Sequence, residues 1–307
     1  MGGQTQAVGR RPAWVSDDLF PFASRFLEID GHVVHYVDEG EGPPLLMLHG
    51  NPTWSFLYRD VIQGLRPAFR CIALDYPGFG LSTAAAGYGY TPEEHSAVVR
   101  SFMEALDLRG LTMMFQDWGG PVGLGAAVEL PERMRAVIPL NSRAWPDLTP
   151  QQEKAARMLN SPLGAFLVRR FNLFIRFAVP RLHRRPLSRE ELAHYTRPMP
   201  TAREWERTLI FGQSITGAAP FLQRVKDGLP RLRRLPALII WAENDGGFTA
   251  QDRELFEHFF PTHRTVLLPE AGHFLQEDAP EEIVRAVRAW WPDVERGVDG
   301  AGGEVVG

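Results

Sequence analysis

The chain of 307 residues contains one cysteine, Cys71. Without a second thiol there is no intrachain disulfide, and the apolar run around Cys71 marks it as a small buried hydrophobe in a reducing compartment. A charge bias is also missing: 33 Lys and Arg against 37 Asp and Glu leave a net charge of -4, which gives no basic field for a nucleic acid. No apolar run approaches the roughly 18 residues a membrane helix requires. The opening stretch "MGGQTQAVGRRPAW" lacks the apolar core of a secretory signal, and Gln6 stands where a myristoylation site needs Ser or Thr. The expectation is a cytoplasmic protein with no membrane or nucleic-acid partner. The nine histidines show no metal-ligand spacing; His32 and His35, an odd number of residues apart on a strand, face opposite sides. Neither metal nor cofactor is expected, and internal repeats and low-complexity tracts are absent.

What is there is an ordinary globular composition, 44 % hydrophobic and 23 % charged. Eight short β-rich runs, "SRFLEID", "HVVHYVDEG", "PLLMLH", "RCIALD", "LTMMFQ", "RAVIPLN", "PALIIWA" and "HRTVLLP", alternate with helical patterns, as in an α/β protein with an eight-stranded, mostly parallel sheet. Thr91-Pro92-Glu93-Glu94 and Asp278-Ala279-Pro280-Glu281 read as helix starts. The alternation stops between about Pro146 and Phe221, where helical stretches succeed one another without a strand. A helical cap over 146–221, inserted after the sixth strand, would cover the strand ends where open α/β sheets place ligands. The core is then 14–145 and 222–295, with loose tails at 1–13 and 296–307. Within the cap, "RRFNLFIRFAVPRLHRR" carries six arginines and reads as the solvated face of an amphipathic helix.

One stretch, "MFQDWGGPV", ends an apolar run with a carboxylate and follows it with an indole and two glycines. A strand, a sharp turn and a helix beginning at Gly119-Gly120 form the setting of a nucleophile elbow with Asp117 in the nucleophile position. Phe115 replaces the first glycine of that motif, and an Asp at a helix start also serves as an N-cap. Two landmarks in the right order favour the nucleophile. "LMLHGNPTW" offers a loop N–H for an oxyanion hole after the third strand, and "EAGHFLQEDAP" places His273 after the last strand. The acid belongs after "ALIIWA", where Glu243 and Asp245 are both available. Asp245 is preferred because it lies further past the apolar run, beside glycines that let the backbone turn; Asn141, at the rival position after the sixth strand, carries no charge.

An Asp nucleophile is already ionised at neutral pH, so it can displace a leaving group from saturated carbon without a base. His273 is then free to activate a water against the resulting ester, with Asp245 holding the ring. Trp118 and Asn51 each carry an uncharged side-chain N–H, a donor suited to a departing halide.

The motifs "HGNPTWSFLYR", "DYPGFGLS", "QDWGGP" and "HFLQEDAP", in this order and split by a helical insertion, resemble the haloalkane dehalogenases of the α/β-hydrolase superfamily from about Phe20 to Trp291. The resemblance implies Asp117 as nucleophile, His273 as base, Asp245 as acid and an Asn51–Trp118 halide pair, the combination of that family's third subfamily. It implies a small apolar halogenated substrate, with water as co-substrate and halide as product. Phe115 is ordinary in that family; Arg143, after the sixth strand, departs from it. An epoxide hydrolase would want two cap tyrosines where 146–221 has only Tyr195. A fluoroacetate dehalogenase would want Arg in place of Trp118. A ligand receptor or light-emitting monooxygenase on the same scaffold is the remaining alternative, and the sequence leaves oligomeric state open, a homo-oligomer included.

Overall fold

The eight apolar runs become the strands β1 (Arg25–Ile29), β2 (His32–Glu39), β3 (Pro44–Leu48), β4 (Arg70–Leu74), β5 (Leu111–Asp117), β6 (Met134–Ser142), β7 (Ala237–Ala242) and β8 (His263–Leu268) in a computed structural model of the chain. The structure describes residues 9–172, 175–176, 179–297 and 304–306. The order in the sheet is β1-β2-β4-β3-β5-β6-β7-β8, antiparallel at β1/β2 and β2/β4 and parallel beyond. The central strands are covered on both faces, so they read as unbroken apolar runs; every residue of β7 is buried. After β3 the chain crosses to β4 on one side, and β5 lies on the other. The strand order therefore reverses at β3, and the crevice beyond the ends of β3 and β5 is where such sheets bind ligands.

Helices flank the sheet in two groups. Pro92–Ala105 packs with Gly119–Glu129, and Arg59–Leu65 packs with Pro280–Arg296. The start at Thr91 is a complete capping box: its hydroxyl accepts the Glu94 N–H, and Glu94 reaches back to the Thr91 N–H. The second start differs from expectation. The helix does begin at Pro280, but Ala279 is its N-cap, and Asp278 accepts N–H groups of Gly272, Arg184 and Arg185 instead. A tertiary competitor has taken the carboxylate that the local pattern offered to the helix.

Between β6 and β7 the chain forms helices at Pro150–Asn160, Pro162–Phe171, Val179–Leu182, Arg189–Thr196, Ala202–Gly217 and Ala219–Gly228. Side-chain caps at Thr149, Ser161 and Ser188 start three of them. Leu159, Ala165, Val168 and Leu209 give this unit a small core of its own. It is fastened over the strand ends by hydrogen bonds from Trp54 Nε1 to His194 O (2.9 Å), Asn51 Nδ2 to Thr208 O (3.0 Å) and Gln152 Nε2 to Gly247 O (3.1 Å). A buried ionic cluster adds to these bonds. Arg59 binds Glu277 and, at 3.1 Å, Glu191, while Arg185 reaches both carboxylates and Tyr195 gives its hydroxyl to Glu277 at 2.5 Å.

The arginine-rich run is only partly described. Of its cations, Arg169 pairs with Glu206 at the surface and Arg185 joins the cluster. The stretches expected to be loose are held at some points. Arg11 donates to the carbonyls of Phe20 and Phe22, each at 2.8 Å. A ninth strand, β9 (Glu304–Val306), lies parallel to β8 at the sheet edge, where unpaired backbone groups invite another strand. The rest of both tails lies outside the described residues. Among the described residues no helix is long and apolar enough to cross a membrane.

Candidate active site

β5 delivers Asp117 to the sheet's ligand-binding edge, and the helix Gly119–Glu129 begins two residues later. Asp117 has φ +53°, a left-handed conformation that a non-glycine residue holds only when its surroundings enforce it, at a cost of about 1–3 kcal/mol. Three contacts enforce it here. Its carbonyl accepts the Ser142 hydroxyl at 2.6 Å, and its Oδ1 accepts the Asn51 N–H at 2.8 Å. Glycines supply the third: a Cβ on Gly119 would stand 2.3 Å from the Leu48 carbonyl oxygen, and one on Gly50 would stand 2.4 Å from Asp117 Cβ. The glycines thus let the elbow sit against the end of β3.

His273 follows β8 and brings Nε2 to 3.9 Å from Asp117 Oδ2. Its Nδ1 donates to Asp245 Oδ2 at 2.9 Å, since a carboxylate only accepts. Asp245 is held on every side. It also accepts from Asn141 Nδ2 at 3.0 Å and from the N–H groups of Gly247 and Phe248, at 2.7 and 3.3 Å. Glu243, the other candidate carboxylate, is exposed to solvent and makes no contact with His273. The Gln116 amide nitrogen donates to the His273 carbonyl at 3.1 Å and lies 3.1 Å from Nε2, where it can donate to the lone pair of the neutral ring, the form with its proton on Nδ1.

Burial pushes the Asp117 carboxyl above its usual range, opposed by His273 and by the N–H groups of Trp118 and Asn51. For His273, burial disfavours the cation, but the charges of Asp245 and Asp117 outweigh it and raise the pKa to about 9. Beneath the site His49, wholly buried, is lowered to about 4. It accepts the Tyr76 N–H through Nε2 and so serves the architecture of the turn.

A cavity of about 140 Å³ opens over Asp117. Trp118, Pro121, Ile215 and Phe248 give it apolar walls, and among the described residues that line it Arg143 is the one cation. The Trp118 ring stacks on Phe211 at 5.2 Å between centroids, which fixes the indole plane. The Asn51 amide nitrogen spends one of its two hydrogens on Thr208, and its Oδ1 is buried without a partner. Among the described residues no three His, Cys, Asp or Glu side chains converge as a metal site.

The chain has counterparts among known proteins. Residues 43–280 match the family model of the alpha/beta hydrolase fold. The chain is 40 % identical over 271 residues to Haloalkane dehalogenase 2 of Mycobacterium tuberculosis, covering 88 % of this chain and 95 % of that one. The chain belongs to the haloalkane dehalogenases. These α/β-hydrolase enzymes act on carbon–halide bonds, take up water and release halide. The crystal structure of the haloalkane dehalogenase from Agrobacterium tumefaciens C58 superposes with a TM-score of 0.80 at 28 % identity, over 89 % of this chain and 97 % of that one. A further relative, 32 % identical over 291 residues and 91 % of each chain, is a cis-3-alkyl-4-alkyloxetan-2-one decarboxylase of Shewanella oneidensis.

The structure thus brings Asp117, His273 and Asp245 together, with Asp117 and Trp118 lining the cavity and the Asn51 N–H on the carboxylate. Two residues bonded to His273 and Asp245 escape a reading of the sequence. Gln116 is a β5 residue whose position alone gives no sign that it reaches His273. Asn141 shows only as an uncharged residue after β6, although its amide steadies Asp245.

Proposed function

We propose that the chain dehalogenates short haloalkanes through an ester on Asp117. A carboxylate oxygen of Asp117 attacks the halogen-bearing carbon, and the carbon–halogen electron pair leaves as halide, received by the indole N–H of Trp118 and the remaining amide hydrogen of Asn51. Water then attacks the ester carbonyl and gives its proton to His273 Nε2. The developing oxyanion turns to the backbone N–H groups of Asn51 and Trp118, which already face the carboxylate. Collapse expels the alkoxide, His273 returns the proton to it, and the regenerated Asp117 carboxyl loses the water's second hydrogen as a proton to solvent, which restores the carboxylate. The helices of 146–221 act as the cap that keeps bulk water from the ester.

The observation that carries this reading is the placement of His273, hydrogen-bonded to Asp245 with Nε2 still 3.9 Å from Asp117. That gap is wide for a direct hydrogen bond, so the imidazole does not hold the nucleophile's proton. Ester formation also removes the Asp117 charge that helps hold a proton on His273, so the ring becomes a base when one is needed. Tyr195 gives its hydroxyl to Glu277 and is unavailable to activate an epoxide oxygen. Incubation with short 1-bromoalkanes should release bromide and alcohol without an effect of EDTA; diol from styrene oxide with no bromide would overturn the reading.

The Shewanella relative favours a second reading, conversion of an oxetan-2-one to an alkene and carbon dioxide in the same cavity. Alkene formation from a cis-3,4-dialkyl-oxetan-2-one, with no bromide from bromoalkanes, would select it.

A further inference from the structure

Arg143 is the cation of the cavity wall, and the mechanism above gives it no task. It is 6 % exposed, yet among the described residues it forms no ion pair. Nε and Nη2 both donate to the Trp145 carbonyl, and Nη1 donates to Gln152 Oε1 at 3.3 Å. A guanidinium carries five N–H groups, so one hydrogen on each terminal nitrogen is left over for a further acceptor. The nearby anions are engaged elsewhere. Asp147 is bound to Lys226 at 2.7 Å. Asp252 accepts from Trp145 Nε1 at 3.3 Å, Gln152 Nε2 at 3.2 Å and the Thr249 N–H at 3.1 Å, so Gln152 stands between it and Arg143. Burial lowers the Arg143 pKa to about 10, against the pull of Asp252 and Asp147, so the group remains a cation at neutral pH.

A buried charge is costly unless something in the site answers it; Asp252 and Asp147 do so without a direct bond, and the cavity that Arg143 lines is where a bonded partner can sit. A purely apolar haloalkane would leave the two N–H groups desolvated and unmatched. We propose that Arg143 anchors a carboxylate of the substrate, so that the cavity selects molecules with an electrophilic carbon at Asp117 and a carboxylate at the Arg143 end. This rests on the alkylation of Asp117 proposed above. The carboxylate either arrives on the substrate, as in a bromoalkanoate, or is released in the cavity when Asp117 displaces the ring oxygen of an oxetan-2-one. In the second case the bond to Asp117 forms as the ring carbon–oxygen bond breaks, and the electron pair goes to the carboxylate.

The test compares ω-bromoalkanoates of three to six carbons with 1-bromoalkanes of equal length, by bromide release. The wild type should have the higher kcat/KM on an acid. Arg143→Leu should lower the acid-over-neutral ratio of kcat/KM by roughly a hundredfold, the loss typical of one buried charge partner, and Arg143→Lys should restore part of it. A ratio that stays constant while both rates fall together would make Arg143 a structural tether of Trp145 and Gln152 and overturn the proposal. Should the variants not fold, wild-type competition decides: butanoate should inhibit 1-bromobutane turnover competitively and far more strongly than 1-butanol, and equal inhibition by the two contradicts the anchor. A dialkyl-oxetan-2-one consumed with the same dependence on Arg143, while bromoalkanoates are ignored, identifies the carboxylate as one released in the site. If no compound releases bromide and no oxetan-2-one is consumed, the alkylation reading fails on its own. Butanoate binding followed by calorimetry, expected for the wild type and lost in Arg143→Leu, then still judges the anchor.

Discussion

In the proposed mechanism Asp117 and His273 work in sequence because their charges are coupled. The His273 pKa of about 9 depends in part on the Asp117 carboxylate, and alkylation neutralises that carboxylate, so in the ester the pKa falls below this value. Alkylation needs only ionised Asp117 and should be flat from about pH 6 to 9. Ester hydrolysis needs neutral His273 and should fall about tenfold per pH unit once the pH drops below its pKa in the ester. Rapid-quench measurement of the two steps checks this; parallel profiles would contradict it. Asp245 should matter only to the second step. Asp245→Asn should give a burst of about one bromide per site and then slow turnover, because the ring loses its tautomer control, whereas Glu243→Gln should turn over steadily. A stall in the Glu243 variant would contradict the assignment. These residues were legible because they stand at strand ends, where chain order and a few glycines announce them. Gln116 was not, since a buried strand residue looks alike whether it packs or donates to a histidine. Arg143 was visible as an odd residue after β6, but its burial, and the engagement of Asp147 and Asp252 by other partners, involve elements distant in sequence.

At the scale of elements, the strands were readable because burial on both faces leaves contiguous apolar runs. β9 was not, since three residues at a sheet edge have no periodicity of their own. The Asp278 start misled for a related reason: a helix cap is a local bargain, and Gly272, Arg184 and Arg185 outcompete it through space. The same loop carries Glu277, which with Arg59 and Arg185 links the core to the helices above it. Glu277 is buried, and without Arg59 the partly exposed Arg185 is the cation left to it among the described residues. Arg59→Met should therefore cost about 3–5 kcal/mol in urea unfolding. Pairing it with Glu277→Gln should cost less than the sum of the two single changes. Strict additivity would mean that the two groups are not coupled.

The whole molecule uses its sheet to hold a strained carboxylate and its helical insertion to enclose it. The reversal of strand order at β3 puts the backbone N–H of Asn51 beside Asp117, and the helices between β6 and β7 close the space above with bonds to Asn51, Trp54 and Gly247. The central claim is that the substrate carbon becomes attached to Asp117 and that water attacks the enzyme's carbonyl. One turnover of excess enzyme with 1-bromobutane in H2(18)O tests it most directly. The account predicts that the first butanol carries ordinary oxygen taken from Asp117, while a peptide containing Asp117 gains one (18)O. Butanol labelled in that first turnover, with an unlabelled peptide, would show that water attacks the substrate directly and would contradict the account.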